Sequence, residues 1–225
     1  MPARHDLRTR STRKRRTRGR PADQRESVGA EAIVLYVCEL LREVAPTQIT
    51  LVRVAEHARV DRSLIRYYFK RRSSLLLAAA RYLFAQLQNE LAAAKKIPFE
   101  QAERRLRESA RALLRFQIKH PYFHRLMVDE VVNSEEPEAR AFFHSFTSAA
   151  LADYRATAEA AIRRSGAREV DGAFLYMATI GICEFFVTGM PILRIAFGKD
   201  YDDALLNGQF ETFICDYVVD GIRRR

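Results

Sequence analysis

The chain has 225 residues, of which 48% are hydrophobic, so it can form one large or two modest domains with a sizeable core. Only nine glycines and seven prolines occur, which favours a mostly helical protein, and three widely spaced cysteines exclude a complete disulfide framework and indicate a reduced, cytoplasmic protein. The net charge of +10 is concentrated early, because residues 1–25 hold 10 Lys/Arg against two acids while residues 76–225 hold 20 of each.

Residues 1–25 show no apolar periodicity, and we predict a disordered basic arm whose natural partner is a polyanion. Within it, Arg18-Gly19-Arg20-Pro21 looks like the core of an AT-hook, in which Arg18 and Arg20 would enter a narrow A·T minor groove. The alternative is an arm that is attracted to any phosphate backbone.

A compact domain is predicted over residues 26–73. Apolar residues recur at helical spacing over 27–44, and Pro46 ends that helix. Thr50 is a good N-cap for a short helix over 51–58, and Asp61 caps another over 62–69. Because only Arg59 and Val60 lie between the first short helix and the cap of the second, the pattern predicts a helix-turn-helix.

The helix predicted over 62–69 carries the candidate DNA contacts. Ile65 and Phe69 share its apolar face, so the opposite side presents side chains suited to reading base edges. A second set would contact phosphates and position the domain. A solvated basic face on an ordinary helix pair is the alternative. The predicted base-reading residues are Arg62, Ser63, Arg66 and Tyr67, and the predicted phosphate contacts are Thr50, Tyr68, Lys70 and Arg72.

The remainder of the chain, 74–225, reads as long helices separated by prolines and glycines, which makes the predicted fold all-α. Gly172–Leu193 contains a single charge, Glu184, and Pro191 is expected to kink or end its helix. A membrane span is the alternative there, but a carboxylate near the bilayer centre disfavours it. The predicted helices cover 74–95, 99–119, 122–133, 136–165, 171–190 and 203–223.

The segment Thr50–Leu76 resembles the DNA-binding segment of the tetracycline-repressor (TetR/AcrR) family, with Thr50, Val54, Ala55 and Phe69 among the matching positions. The resemblance implies a three-helix DNA-binding domain followed by a helical bundle for ligand binding and dimerisation. Three positions depart from the family pattern, because Arg59 replaces a turn glycine, Arg66 a tyrosine and Arg72 a lysine.

The family resemblance implies a ligand pocket in 74–225, and aromatic density supports it only loosely, because such stripes more often form core. The Glu184 carboxylate either meets a ligand or pairs with Arg115, His120 or Arg194. No metal-type spacing and no cofactor motif occurs, so neither is expected. The predicted ligand contacts are Phe116, Phe123, Met127, Phe146, Tyr176 and Glu184.

Two apolar helices at the C-terminal end, over 172–193 and 204–222, predict a two-fold homodimer interface. Together these features predict a repressor that binds a palindromic operator in double-stranded DNA and is released by a small, largely apolar ligand. Two alternatives remain: an architectural DNA-binding protein without a ligand, and an enzyme with a basic nucleic-acid-targeting arm.

Overall fold

The computed structural model describes residues 29–198 and 202–224, and every regular element within those ranges is helical, as predicted. The predicted arm, with Arg18 and Arg20, lies outside the described residues. The helices are α1 (Ala30–Leu40), α2 (Leu51–Ala58), α3 (Arg62–Tyr68), α4 (Arg72–Lys95), α5 (Ala102–Lys119), α6 (Phe123–Met127), α7 (Pro137–Ser165), α8 (Gly172–Thr188), α9 (Met190–Phe197) and α10 (Asp203–Asp220).

Helices α1, α2 and α3 form a small three-helix unit, and both predicted caps are confirmed. The Thr50 hydroxyl accepts a hydrogen bond from the Arg53 N–H at 3.1 Å, and the Asp61 carboxylate accepts one from the Ser63 N–H at 2.7 Å. These bonds satisfy amide donors that the first turn of a helix leaves free. The fully buried core of this unit consists of Ile33, Val37, Ile49, Val54 and Ile65.

The turn between α2 and α3 passes through Arg59 in the left-handed conformation, with φ 54° and ψ 41°. The Val60 N–H donates to the Ala55 carbonyl at 3.0 Å, and this bond spans the left-handed residue and closes the end of α2. Glycine usually occupies such a position, and Arg59 is the one residue with a side chain at positive φ in the described ranges.

Helix α4 connects this unit to the rest of the chain. It packs on α1, α5 and α6, and Leu75 and Leu76 near its start are fully buried. Helix α5 is the centre of the second domain, because it also contacts α7, α8 and α10. The interior of the C-terminal bundle therefore surrounds α5.

Two predicted helices are interrupted. The helix predicted over 122–133 is α6 followed by a π-helical turn, Val128–Val132. The helix predicted over 171–190 ends at Thr188, and α9 restarts with Pro191 in its first turn, where proline needs no N–H partner. No single helix in the described ranges meets the length and hydropathy of a membrane span, although Gly172–Thr188 and Met190–Ala196 do so together across a bend of 56°.

Helix α8 begins in very close contact with α7. A Cβ atom added at Gly172 would lie 2.5 Å from the Cα atom of Arg155, a backbone atom that cannot move aside locally. Asp171 caps the same end, and its carboxylate accepts from the Ala173 N–H at 2.7 Å. The start of α8 is thus fixed by a backbone approach that only glycine permits.

Candidate DNA interface and ligand cavity

The exposed side of α3 carries the side chains that the sequence assigns to base reading. Ile65 is fully buried and Phe69 is 9% exposed, so the helix packs through that face. The opposite side presents two guanidinium groups, a hydroxyl and a phenol to solvent. We call this exposed set the reading surface: Arg62, Ser63, Arg66 and Tyr67.

Contacts around the reading surface are weak and open to competition from DNA. The Arg62 guanidinium lies 3.3 Å from the Glu56 carboxylate, with both side chains more than half exposed. Tyr67 is 77% exposed and meets Tyr68 edge to face, with ring centroids 5.0 Å apart. Tyr68, Lys70 and Thr50 are also exposed, as a phosphate contact requires.

Arg72, by contrast, does not point away from the protein. Its Nε and Nη2 atoms donate to the carbonyls of Ile49 and Pro46, each at 2.7 Å, and its Nη1 donates to Glu130 at 2.9 Å. The guanidinium fork is thus held by the segment before α2 and by the π-helical turn after α6. In this structure Arg72 therefore joins the two domains, which is a different role from the predicted contact with a phosphate.

Arg59 is an exposed basic residue in the turn before the reading surface, and the sequence prediction gave it no role in DNA binding. It is exposed in the turn that leads into Arg62, and the left-handed backbone there is strained for any residue with a side chain. The sequence signal that could have identified Arg59 was the presence of an arginine where the family pattern has a turn glycine.

A cavity of about 320 Å³ lies in the second domain between α4, α5, α7 and α8. Two of the predicted ligand residues, Phe146 and Tyr176, line it. The sequence analysis did not predict the lining residues of α4, because the polar ones among them, Gln88 and Lys95, look like part of a solvent-exposed helix face in the sequence. The full lining is Phe84, Leu87, Gln88, Leu91, Lys95, Ser109, Leu113, Phe142, Ser145, Phe146, Ala149, Ala150, Asp153, Tyr154, Tyr176 and Ile180.

Three predicted ligand residues, Phe116, Phe123 and Met127, do not line this cavity and are corrected here. They are 1%, 7% and 4% exposed and belong to the packed core around α5 and α6, where the Phe116 and Phe123 rings meet edge to face at 5.0 Å. Aromatic spacing alone does not distinguish a core stripe from a cavity wall.

Glu184 also lies outside the cavity lining, and its partner is none of those predicted. Its carboxylate is 2.8 Å from Nδ1 of His124 on α6. Burial raises the pKa of the Glu184 carboxyl, and the neighbouring His124 acts in the opposite direction. Glu184 therefore links α8 to α6.

One end of the cavity is charged. The buried Arg105 pairs with Asp153 and also donates to the carbonyls of Lys95 and Ile97 at 2.7 and 2.6 Å. Arg105 therefore neutralises Asp153 and holds the last turn of α4 in place. The remaining charge on the wall is the ammonium of Lys95, which contacts the side-chain oxygen of Gln88.

Helices α8, α9 and α10 of the second domain expose large apolar side chains. Among them, Phe174 is 73%, Phe185 70% and Phe213 53% exposed. An apolar groove of about 480 Å³ lies between these helices. We call this set the apolar face: Phe174, Met177, Phe185, Ile192, Ile195, Leu205, Phe213 and Tyr217.

Comparison with known proteins agrees with this architecture. Residues 100–224, more than half of the chain, match the tetracycline-repressor-like C-terminal domain. The chain belongs to the tetracycline-repressor-like family. Its DNA-binding unit and its helical bundle follow the order that the resemblance of Thr50–Leu76 implies, and members of this family are typically transcription factors without enzymatic activity.

Solved structures of regulators share this fold. AibR in complex with isovaleryl coenzyme A and operator DNA is 15% identical with a TM-score of 0.67, covering 86% of this chain and 97% of that one. PfmR from Thermus thermophilus is 15% identical with a TM-score of 0.68 (88% and 98%). FadR from Bacillus subtilis in complex with stearoyl-CoA is 16% identical with a TM-score of 0.59 (85% and 98%). No curated protein sequence matches the chain.

Proposed function

We propose that this protein is a homodimeric transcriptional repressor that leaves a palindromic operator when a small, largely apolar ligand enters the cavity between α4, α5, α7 and α8. The observation that carries this proposal is that one helix, α4, serves both sites. Its first residue, Arg72, bonds to the segment preceding α2, and its later turns, from Phe84 to Lys95, form a wall of the cavity.

A rigid helix shared by two sites is a physical route for coupling them. A ligand that widens the cavity displaces α4, and the Arg72 contacts transmit that displacement to the helix-turn-helix. Since coupling between two ligands is reciprocal, operator DNA must weaken ligand binding by the factor by which ligand weakens operator binding. This reciprocity gives the proposal a quantitative test.

DNA recognition is assigned to the first domain, residues 26–73. Arg62, Ser63, Arg66 and Tyr67 would read bases in the major groove, while Thr50, Tyr68, Lys70 and the newly added Arg59 would contact phosphates. The basic arm, 1–25, with Arg18 and Arg20, would add charge neutralisation on the DNA backbone. Each phosphate that it neutralises adds about 0.9 to the salt slope of binding.

Dimerisation is assigned to the second domain, residues 74–225. The apolar face contains eight exposed large apolar side chains, and such a set on a protein surface usually marks an interaction site. One recognition helix reads only a few base pairs, whereas two held by a two-fold axis read half-sites about one helical turn, roughly 34 Å, apart. A homodimer formed through α8 and α10 satisfies both requirements.

The class of ligand follows from the cavity wall, which is mainly aliphatic and aromatic. Two structural relatives carry acyl thioesters, isovaleryl coenzyme A in AibR and stearoyl-CoA in FadR, which supports an effector with an apolar chain. We propose a binding function and no enzymatic one, because the charged groups at this mainly apolar cavity are the Arg105–Asp153 pair and the ammonium of Lys95.

The deciding experiment selects bound fragments from genomic DNA, then measures affinity for the selected operator with and without candidate ligands by fluorescence anisotropy. A ligand that lowers operator affinity, with operator lowering ligand affinity by the same factor, supports the repressor. Tight DNA binding without sequence preference and without any ligand response would favour the architectural alternative.

A further inference from the structure

Two of the four helices that form the cavity wall, α4 and α7, run in the same direction. Arg81 on α4 pairs with Glu138 on α7, Phe84 meets Phe142 and Phe146 further along, and the end of α4 joins Asp153 through Arg105. Because these cross-pairs occur in the same order on both helices, the space between them is elongated along the helix axes. We call this space the slot.

The two ends of the slot differ in chemistry. At one end the Phe84 ring meets Phe142 and Phe146 edge to face, with centroids 5.6 and 4.6 Å apart, which closes the slot with hydrocarbon. At the other end the Lys95 ammonium turns back along α4 to Gln88 and so lies over the wall. Asp153 is already neutralised by Arg105, so this end carries one net positive charge.

The middle of the slot is apolar. Leu87 and Leu91 of α4 line it together with Ala149 and Ala150 of α7, and the small alanine side chains leave room for an unbranched chain. Ser145, Ala149 and Lys95 are exposed, so the slot opens to solvent between α4 and α7.

We propose that the slot binds an unbranched, medium-length acyl chain, with the methyl end against the Phe84 cluster and an anionic group at Lys95. This inference rests on the proposed function, since it names the ligand of the same site. Helix α4 rises about 10 Å from Phe84 to Leu91 and about 16 Å from Phe84 to Lys95, and the anionic group would lie between these two levels. An extended chain advances about 1.2 Å per bond, which gives about eight to thirteen carbons.

The anionic group has two possible sources that share one chemistry: the carboxylate of a free acid, or the phosphates of an acyl thioester of coenzyme A. In both, an acyl chain fills the slot and negative charge lies at its open end. Comparing the two compounds at equal chain length separates them.

Ligand binding is measured without DNA, by thermal shift and titration calorimetry, on the full-length protein. The probes are straight-chain carboxylates from hexanoate to hexadecanoate, the matching alcohols, and the matching coenzyme A thioesters. We expect an optimum between eight and thirteen carbons and tighter binding of anions than of alcohols. An optimum at six or at sixteen carbons, equal binding of alcohols, or no binding by any probe would overturn the inference.

Two variants test the orientation of the chain. Lys95→Met should weaken decanoate binding about fivefold and leave decanol binding unchanged, while Lys96→Met, at the adjacent exposed lysine outside the slot, should change neither. Phe146→Ala should move the optimum to longer chains by opening the closed end. Equal losses for decanoate and decanol in Lys95→Met would place the anion elsewhere.

The outcome is separable from that of the proposed function. If decanoate binds with the expected length dependence but leaves operator affinity unchanged, the slot assignment stands and the repressor mechanism fails. If another class of compound releases the operator while no acyl probe binds, the repressor mechanism stands and the slot assignment fails.

Discussion

Arg72, in the first turn of α4, grips the carboxylate of Glu130 in the π-helical turn after α6 with both terminal nitrogens of its guanidinium. The Glu130 side chain is only 10% exposed and that of Arg72 35%. Since the same guanidinium also bonds to the carbonyls of Pro46 and Ile49, one arginine connects three separate segments of the chain.

We expect Glu130→Ala to lower the free energy of unfolding by about 1–3 kcal/mol, because the buried fork of Arg72 loses its charged acceptor. It should also reduce the factor by which ligand and operator weaken each other. Chemical denaturation and the two titrations measure these effects. Glu135→Ala, at an exposed carboxylate in the following loop, is the control. If Arg72→Ala weakened DNA binding and left unfolding unchanged, Arg72 would be a phosphate contact after all.

Replacing either arginine of the reading surface should relax base choice. Arg62→Ala or Arg66→Ala should cost about 1–3 kcal/mol of operator affinity and much less on random DNA. Arg163→Ala, at an exposed arginine on α7, removes the same charge far from α3 and should affect neither. Competition binding with operator and random duplexes gives both numbers. Unchanged discrimination in both variants would show that α3 does not read bases.

Arg59→Gly should stabilise the protein and weaken its binding to DNA. Glycine removes the cost of a side chain at φ 54°, and after its own entropic penalty the gain is about 0.5–1 kcal/mol. Loss of one cation should lower the salt slope by about 0.9. Thermal unfolding measures the gain in stability, and DNA binding at several salt concentrations measures the change in the salt slope. Arg59→Lys keeps charge and strain and should match the wild type, and a stabilised Arg59→Gly with an unchanged slope would remove Arg59 from the interface.

Charge placed in the apolar face should separate the subunits. Phe213→Glu puts a carboxylate where a second copy would bury a phenyl ring, so it should yield monomers that bind the palindrome weakly. Sedimentation velocity at micromolar concentration reports the assembly. Leu35→Glu, which changes a 44% exposed leucine on α1, should remain dimeric. A wild-type monomer with full operator affinity would refute the dimer.

Acid should destabilise the protein through His120. Burial lowers its pKa to about 4, and the nearby Lys119 and Arg42 act in the same direction. An unfolded histidine titrates near 6.5, so between about pH 6.5 and 4 the unfolded chain binds a proton that the folded chain does not, and stability falls as the pH falls. Its ring also lies 3.2 Å from the Tyr122 hydroxyl, whose own pKa burial raises to about 12.

His120→Asn should therefore reduce the loss of stability between pH 7 and pH 4.5 by about 2–3 kcal/mol. Urea denaturation at both values measures this difference. His144→Asn, at an exposed histidine, provides the comparison. The same pH dependence in wild type and His120→Asn would show that His120 is protonated in the folded state.

Local signals predicted most of the fold. Thr50 and Asp61 predicted the starts of α2 and α3 because a side-chain cap acts on residues two or three positions away. Pro191 predicted the break before α9 because a proline also acts on its own neighbouring residues. Arg72 was misassigned because its partners, Glu130 and the Pro46 carbonyl, lie 58 and 26 residues away. Only two of the six predicted ligand residues line the cavity, since whether Phe146 or Phe116 faces empty space depends on how four helices pack.

The contact at Gly172 has a consequence for how the protein tolerates variation. Gly172 is remote from the reading surface and does not line the slot, yet the first turn of α8 rests there directly on the backbone of α7. The same helix carries Tyr176 and Ile180 into the slot and Phe174 and Met177 onto the apolar face. In a saturation-mutagenesis experiment we therefore expect substitutions of Gly172 to be poorly tolerated. Their effect should be a combined loss of ligand response and of subunit assembly.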